Sequence, residues 1–394
     1  MPSSPPKVRV HVLCAGLQWK GTIGPNEFAA KCTNRRNRLV AMARVRTAAS
    51  MGSELLHFYV FEFATGRLTK EVVAVDKGEL PAALSTYKTT PPVPWGHQKR
   101  AVRMDEVRNG HLRMQNAAAL LSVVDVYHAL ARLGSEPATK GTVEEWSFFG
   151  HAYPLGPVPM DTLSQPEFER LGVRDPLDCD PRKSDFELLD KVHFQGGASA
   201  LACLRLAFSP TAYLWIWGCN LVHNWHEVFT AMWNSGLSLS KKTPAHVVLR
   251  LRGVKDPDNR RYVGWCGSSE GPEAAPIYKV TVANLVELFR RFLNGGYAYQ
   301  FCLTVDRVAY VGLAGTSAIS DTAKGALLKT AKDSLDAVNL DYGTDTAKRL
   351  AFYRIYLGQD VNSEQTMESG IEIDPAIDAR RRGYGRLVPQ QTKQ

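Results

Sequence analysis

Three apolar runs do most to limit what this chain can fold into: VEEWSFFG at 143–150, AYLWIWG at 212–218 and RVAYVGLAG at 307–315. Each is short, rich in β-branched and aromatic residues and closed by glycine, the pattern of a strand buried on both faces. The segments between them have helical spacing. Residues 112–133 are apolar nearly all the way round and are closed by Gly134, so they read as a helix packed against a sheet. Val222, Trp225, Phe229, Met232 and Trp233 repeat at helical intervals, and VANLVELFRRFLN at 282–294 is stopped by Gly295-Gly296. Residues 245–253 read as a further strand, and 320–337 and 344–357 as helices. Apolar strands alternating with helices predict an α/β fold with a mainly parallel sheet flanked by helices.

The first 95 residues read differently. KVRVHVL at 7–13 alternates as a half-buried strand does, 38–48 and 55–63 read as further strands, and Thr65-Gly66 predicts a hairpin into LTKEVVAV. The proline-bearing stretch 85–100 reads as a loop or linker. This divides the chain into a β-rich region over 1–95, an α/β core over 96–360 and a tail over 361–394 that looks poorly packed beyond about residue 365. Residues 152–192, rich in Pro, Gly and Asp, read mostly as loop. A chain of 394 residues buries roughly three quarters of its unfolded surface, so neither disulfides nor metals are needed to hold it.

Lys and Arg number 48 against 39 Asp and Glu, a net charge of +9. Only one stretch concentrates the excess: Lys31, Arg35, Arg36, Arg38, Arg44 and Arg46 with no acid between them. It reads as a solvated face. A basic nucleic-acid-binding protein using 31–46 and Arg380–Arg382 is a further alternative that strand alternation and scarce aromatics do not favour. Seven cysteines without a CxxC pair point to reduced thiols and a cytoplasmic setting. No stretch has the length of a membrane span, and the first residues lack a signal-peptide pattern. His223 and His226 lack the glutamate of HExxH. Asp175, Asp178, Asp180 and Asp185 read as a turn paired with Arg174, Arg182 and Lys183, so no metal is implied. P-loop, GxGxxG and GxSxG motifs are missing, and no cofactor is implied. Ala314–Ser317 reads as a turn, and Trp146, Trp215, Trp217, Trp225 and Trp233 as sheet–helix packing or an aromatic pocket.

Two of the apolar runs share a design: WSFFG leads into His151-Ala152, and LWIWG into Cys219-Asn220. The carboxyl ends of strands in an α/β sheet are where binding crevices form. An imidazole facing a thiol there can take its proton and later protonate a leaving amine. The amino end of a helix starting near Val222 would stabilise the thiolate, and backbone N–H groups around Gly150, Ala152 and Gly218-Cys219 would bind an oxyanion.

The pattern resembles that of the caspase-like cysteine peptidases (caspases, legumains and gingipains), in which an apolar strand ends in His-Gly and a later one in a small residue and Cys. The resemblance implies a caspase-like three-layer fold and a bacterial-type hydrolase that cleaves peptide or amide bonds in a protein or peptide substrate. His151 would be the general base and Cys219 the nucleophile. Ala152 stands where the family has Gly, Gly218 where it has Ala, and the caspase signature around the cysteine is missing. The 68 residues from His151 to Cys219 exceed the ~50 of caspases, with the loop from Asp161 to Asp190 absorbing the difference. Asp161, Asp178 and Asp180 are candidate acids for recognising a basic substrate residue. The remaining alternative is a non-catalytic α/β protein of the same architecture that serves interaction or assembly.

Overall fold

The computed structural model describes residues 5–16, 27–50, 52–63, 66–77, 80–89, 121, 123–153, 156–158, 186, 189–194, 196–217, 225–312, 346–358 and 384–389. The chain begins with β1 (Lys7–Ala15), helix α1 (Glu27–Ser50), and the strands β2 (Ser53–Glu62), β3 (Arg67–Asp76) and β4 (Ala82–Thr89). Helix α2 (Val123–Ser135) leads to β5 (Val143–Phe149) and a small hairpin of β6 (His151–Tyr153) and β7 (Gly156–Val158). Helix α3 (Ala200–Ala207) runs directly into β8 (Phe208–Ile216), and α4 (Trp225–Asn234) follows. Next come β9 (Val248–Leu251), α5 (Pro257–Trp265), β10 (Gly267–Glu270), β11 (Ile277–Thr281), α6 (Val282–Gly295), α7 (Tyr297–Val305) and β12 (Val308–Gly312). Helix α8 (Thr346–Leu357) and β13 (Tyr384–Leu387) complete the described elements.

Eight strands form one mixed sheet in the order β13-β12-β8-β5-β1-β2-β3-β4. The five strands from β12 to β2 are mutually parallel, and β3, β4 and β13 add antiparallel margins. Strands from both sides of residue 95 therefore share one sheet, with β1 between β2 and β5. Alternation sends Val10, Val12 and Cys14 into one apolar cluster and Leu13 and Ala15 into another. The first cluster lies beneath α2, α3, α4, α6, α7 and α8, the second beneath α1, giving helix, sheet and helix layers. A separate antiparallel sheet, β10-β11-β9, joins the first cluster through Leu249, Leu251 and Val280.

Local signals set several helix starts. Ser199 accepts a hydrogen bond from the Ala202 N–H at the start of α3. Asp256 accepts from the Asp258 and Asn259 N–H groups ahead of Pro257, and Thr281 accepts from Asn284. Helix α2 is buried along most of its circumference, as its composition predicts: Val123, Val126, Tyr127, Leu130, Ala131 and Leu133 all lose their solvent. His128 goes with them and stacks on Phe194 at 5.9 Å. Burial, with the Arg132 charge adding to it, lowers its pKa to about 4. A base depressed in the folded state takes its proton first in the unfolded chain. Stability is therefore expected to decline as pH falls from about 6.5 towards 4, and His128→Phe should flatten that part of the pH–stability curve measured by urea unfolding.

Five expectations are corrected. Residues 38–48 are not a strand but the second half of α1. The alternation there is local; over 24 residues Cys32, Leu39, Val40 and Ala43 share the buried side with Lys31 and Arg35, whose charges mask the helical period. The basic run is likewise not a solvated face. The tail is not uniformly loose: β13 pairs antiparallel with β12 and buries Leu387. The supposed linker at 85–100 begins inside β4. Gly134 does not terminate the preceding helix but lies in its last turn, where a Cβ would stand 1.8 Å from the Cys203 carbonyl oxygen of α3. It is required for the close approach of two helices. The helix expected at 320–337, the turn at Ala314–Ser317 and Arg380–Arg382 lie outside the described residues.

Candidate active site at two neighbouring strand ends

The strands that precede the two candidate residues are parallel neighbours. Glu145 lies opposite Tyr213, Trp146 opposite Leu214, Ser147 opposite Trp215 and Phe148 opposite Ile216. At their carboxyl ends the Trp217 N–H donates to the Phe148 carbonyl at 2.9 Å. On the other side, the Gly16 N–H donates to the Phe149 carbonyl at 2.8 Å, tying the end of β1 to the same rim. Gly16 and Gly150 allow this close approach: a Cβ on Gly150 would come within 2.7 Å of the Phe148 ring and 3.4 Å of the Gly16 Cα.

His151 and Ala152 open β6 immediately beyond Gly150, with backbone opposite Val158 and Pro157 in the β6–β7 hairpin. Gly150 is buried. Gly218 and Cys219 lie outside the described residues, as do Asp161, Asp175, Asp178, Asp180, Asp185 and His223. Helix α4, following the cysteine, is described from Trp225. It is held by Glu227, whose carboxylate accepts from the Lys255 and Asp256 N–H groups, each at 2.8 Å, and from the Asn259 side-chain amide at 3.0 Å.

Below the rim, on the α1 face, lies a buried polar network that the sequence reading missed. Glu145, fully buried on β5, accepts two bonds from Arg35 of α1, both at 3.0 Å. The Tyr213 hydroxyl donates to the same carboxylate at 2.8 Å, and the Ser147 hydroxyl donates to its other oxygen. His11 of β1 approaches it at 3.8 Å and stacks on Phe58. Burial alone would raise the Glu145 pKa. The Arg35 charge, with the Arg35 hydrogen bonds and the nearby His11 ring, overcomes this and holds the carboxyl well below the ordinary range. Towards the rim, the Trp217 indole N–H donates to the Ser147 hydroxyl at 3.4 Å. The signal available in the sequence was a pair of acids, Glu144 and Glu145, at the start of a mainly apolar strand in a chain that also carries a basic run without acids.

The same helix engages other strands through Arg36 with Glu71 of β3 at 2.9 Å and Arg46 with Glu54 of β2 at 2.7 Å. Arg9 of β1 also reaches Glu54, at 3.0 Å, and Glu144, at 2.9 Å. Lys31 and Arg35 are buried, so much of the basic run at 31–46 serves the fold instead of presenting cations to phosphates. Trp146, Trp215 and Trp217 are buried in the layers between sheet and helices, which favours the packing reading of those aromatics.

Cys14, Cys32, Cys203 and Cys302 are buried, and Cys266 is partly so. Burial raises the thiol pKa of Cys14, Cys32, Cys203 and Cys266, which makes these thiols poor nucleophiles. Among the described residues, no group of three His, Cys, Asp or Glu side chains could hold a metal ion, and no helix is long and apolar enough to cross a membrane.

Comparison with protein-family models, with curated proteins and with solved structures finds no match in any of the three.

Proposed function

We propose that this protein is a cysteine hydrolase of caspase-like arrangement, cleaving a peptide or amide bond with His151 as general base and Cys219 as nucleophile. One observation carries the reading. The strands leading to these residues pair in parallel with Phe148 opposite Ile216, an offset of 68 residues, and the same 68 residues separate His151 from Cys219. Both residues thus come three positions in sequence after paired residues of adjacent strands, whose carboxyl ends are where α/β sheets form their crevices.

In this mechanism His151 takes the Cys219 thiol proton and the thiolate attacks the substrate carbonyl carbon. The resulting oxyanion is met by backbone N–H groups around Gly150 and Ala152. His151 then gives its proton to the leaving amine as the C–N bond breaks, which leaves a thioester on Cys219. A water molecule, deprotonated by His151, attacks the thioester, releasing the acid and restoring the thiol.

Alkylation with iodoacetamide, mapped by mass spectrometry across pH, tests the reading without knowledge of the substrate. Cys219 is expected to react ahead of the buried cysteines, with a pH midpoint below the ordinary thiol value of ~8.5. His151→Ala should slow that reaction at pH 7 by about tenfold or more and move the midpoint upward. A Cys219 that titrates as a free thiol, unaffected by His151→Ala, would favour the non-catalytic alternative and end this proposal.

A further inference from the structure

The last side chain of β5 and the first one past β8 are both aromatic and meet face to face on the α1 side. Phe149 and Trp217 stack with ring centroids 5.8 Å apart and planes 8° from parallel. Trp217 also stacks on Trp215 at 3.7 Å, and Trp215 meets Tyr310 of β12 at 5.1 Å. Aromatic contacts therefore run across three parallel strands just below the rim. Trp217 is 3% exposed and Phe149 is fully buried. The indole is fixed edgewise as well, since its N–H donates to Ser147, which is itself bonded to the Glu145 carboxylate.

Phe149 stands two residues before His151, and Trp217 two residues before Cys219. Among the described residues this stack is therefore the last side-chain contact between the two strand ends before the chain reaches the proposed pair. Displacement of about 1 Å between reacting groups can cost a hundredfold in rate. We infer that Trp217 is a positioning residue: stacked on Phe149 and hydrogen-bonded to Ser147, it locks the ends of β5 and β8 at the spacing the His151–Cys219 pair requires. This rests on the dyad proposed above and adds the device that holds it.

The test compares Trp217→Leu, which removes the stack, with Trp217→Phe, which keeps a ring but loses the N–H. The readouts are the rate and pH midpoint of Cys219 alkylation, with circular dichroism reporting folding. In Trp217→Leu the rate at pH 7 is expected to fall about ten- to a hundredfold and the midpoint to rise towards that of a free thiol. Trp217→Phe should restore most of both. A role in stability alone would lower the melting temperature and leave the midpoint of the folded fraction unmoved. A folded Trp217→Leu protein with native rate and midpoint overturns the inference while leaving the dyad intact. A native protein whose Cys219 already behaves as a free thiol overturns both. If Trp217→Leu does not fold, Phe149→Leu removes the other half of the stack and is read by the same criteria.

Discussion

Glu145→Ala is expected to destabilise the protein by about 3–5 kcal/mol, because it removes the fully buried carboxylate that two 3.0 Å bonds tie to the buried Arg35 guanidinium. The Tyr213 hydroxyl, 2.7 Å from Arg35, is neutral and does not replace the charge of that carboxylate. The double variant Arg35→Met/Glu145→Leu removes both charges from the same volume and should recover most of the loss, since an apolar pair of similar size has no desolvation cost. Guanidinium unfolding of the three proteins measures this directly. If Glu145→Ala lay within about 0.5 kcal/mol of the parent, the pair would have to be solvated and the packing of α1 on the sheet misread. The pair also fixes a sign for acid stability. A carboxyl held below its ordinary pKa stabilises fully above the unfolded value and loses that contribution as pH falls through the folded one. Glu54, whose burial effect is outweighed by Arg46 and Arg9, acts in the same direction. Both oppose unfolding at neutral pH and lose that contribution in acid.

Gly134→Ala should cost about 3 kcal/mol, the upper part of the usual range for overpacking. The added methyl would lie 1.8 Å from the Cys203 carbonyl oxygen and 2.8 Å from the Ala207 backbone nitrogen. Both atoms belong to the backbone of α3, so no side chain can swing aside and one helix must shift over β5 and β8. On helix propensity alone the same change would be favourable by up to about 1 kcal/mol, so the sign of the result separates the two effects. A melting temperature equal to or above that of the parent would mean that α2 and α3 do not cross closely at this point.

The central strands and helix α6 were legible because most of their burial is written in local apolar pattern: 143–149 form β5, 212–216 lie in β8, and 282–294 form α6 with one added residue. Helix α1 was not legible. Its inward face carries Lys31 and Arg35, and a periodicity reading that counts apolar side chains cannot see a helix docked partly through charge. Strand β13 was missed for another reason. It has four residues, too few for any period, and belongs to the sheet only through β12. For the candidate site, the sequence identified the two runs ending in Gly-His and Gly-Cys. The adjacency of β5 and β8 depends on pairing between strands more than sixty residues apart, which no local pattern encodes. The Glu145 network and the Phe149–Trp217 stack depend on that adjacency and were hidden with it.

The central place of β1 bears on how the chain is made. One edge of this strand finds β2 within the first 62 residues, while the other waits for β5, complete only at residue 149. At a ribosomal pace of roughly 5–20 residues per second, about 90 further residues must emerge, several seconds in which an apolar strand offers a bare edge. The nascent protein therefore passes through a stage at which chaperone capture or strand exchange with another growing copy competes with its own completion.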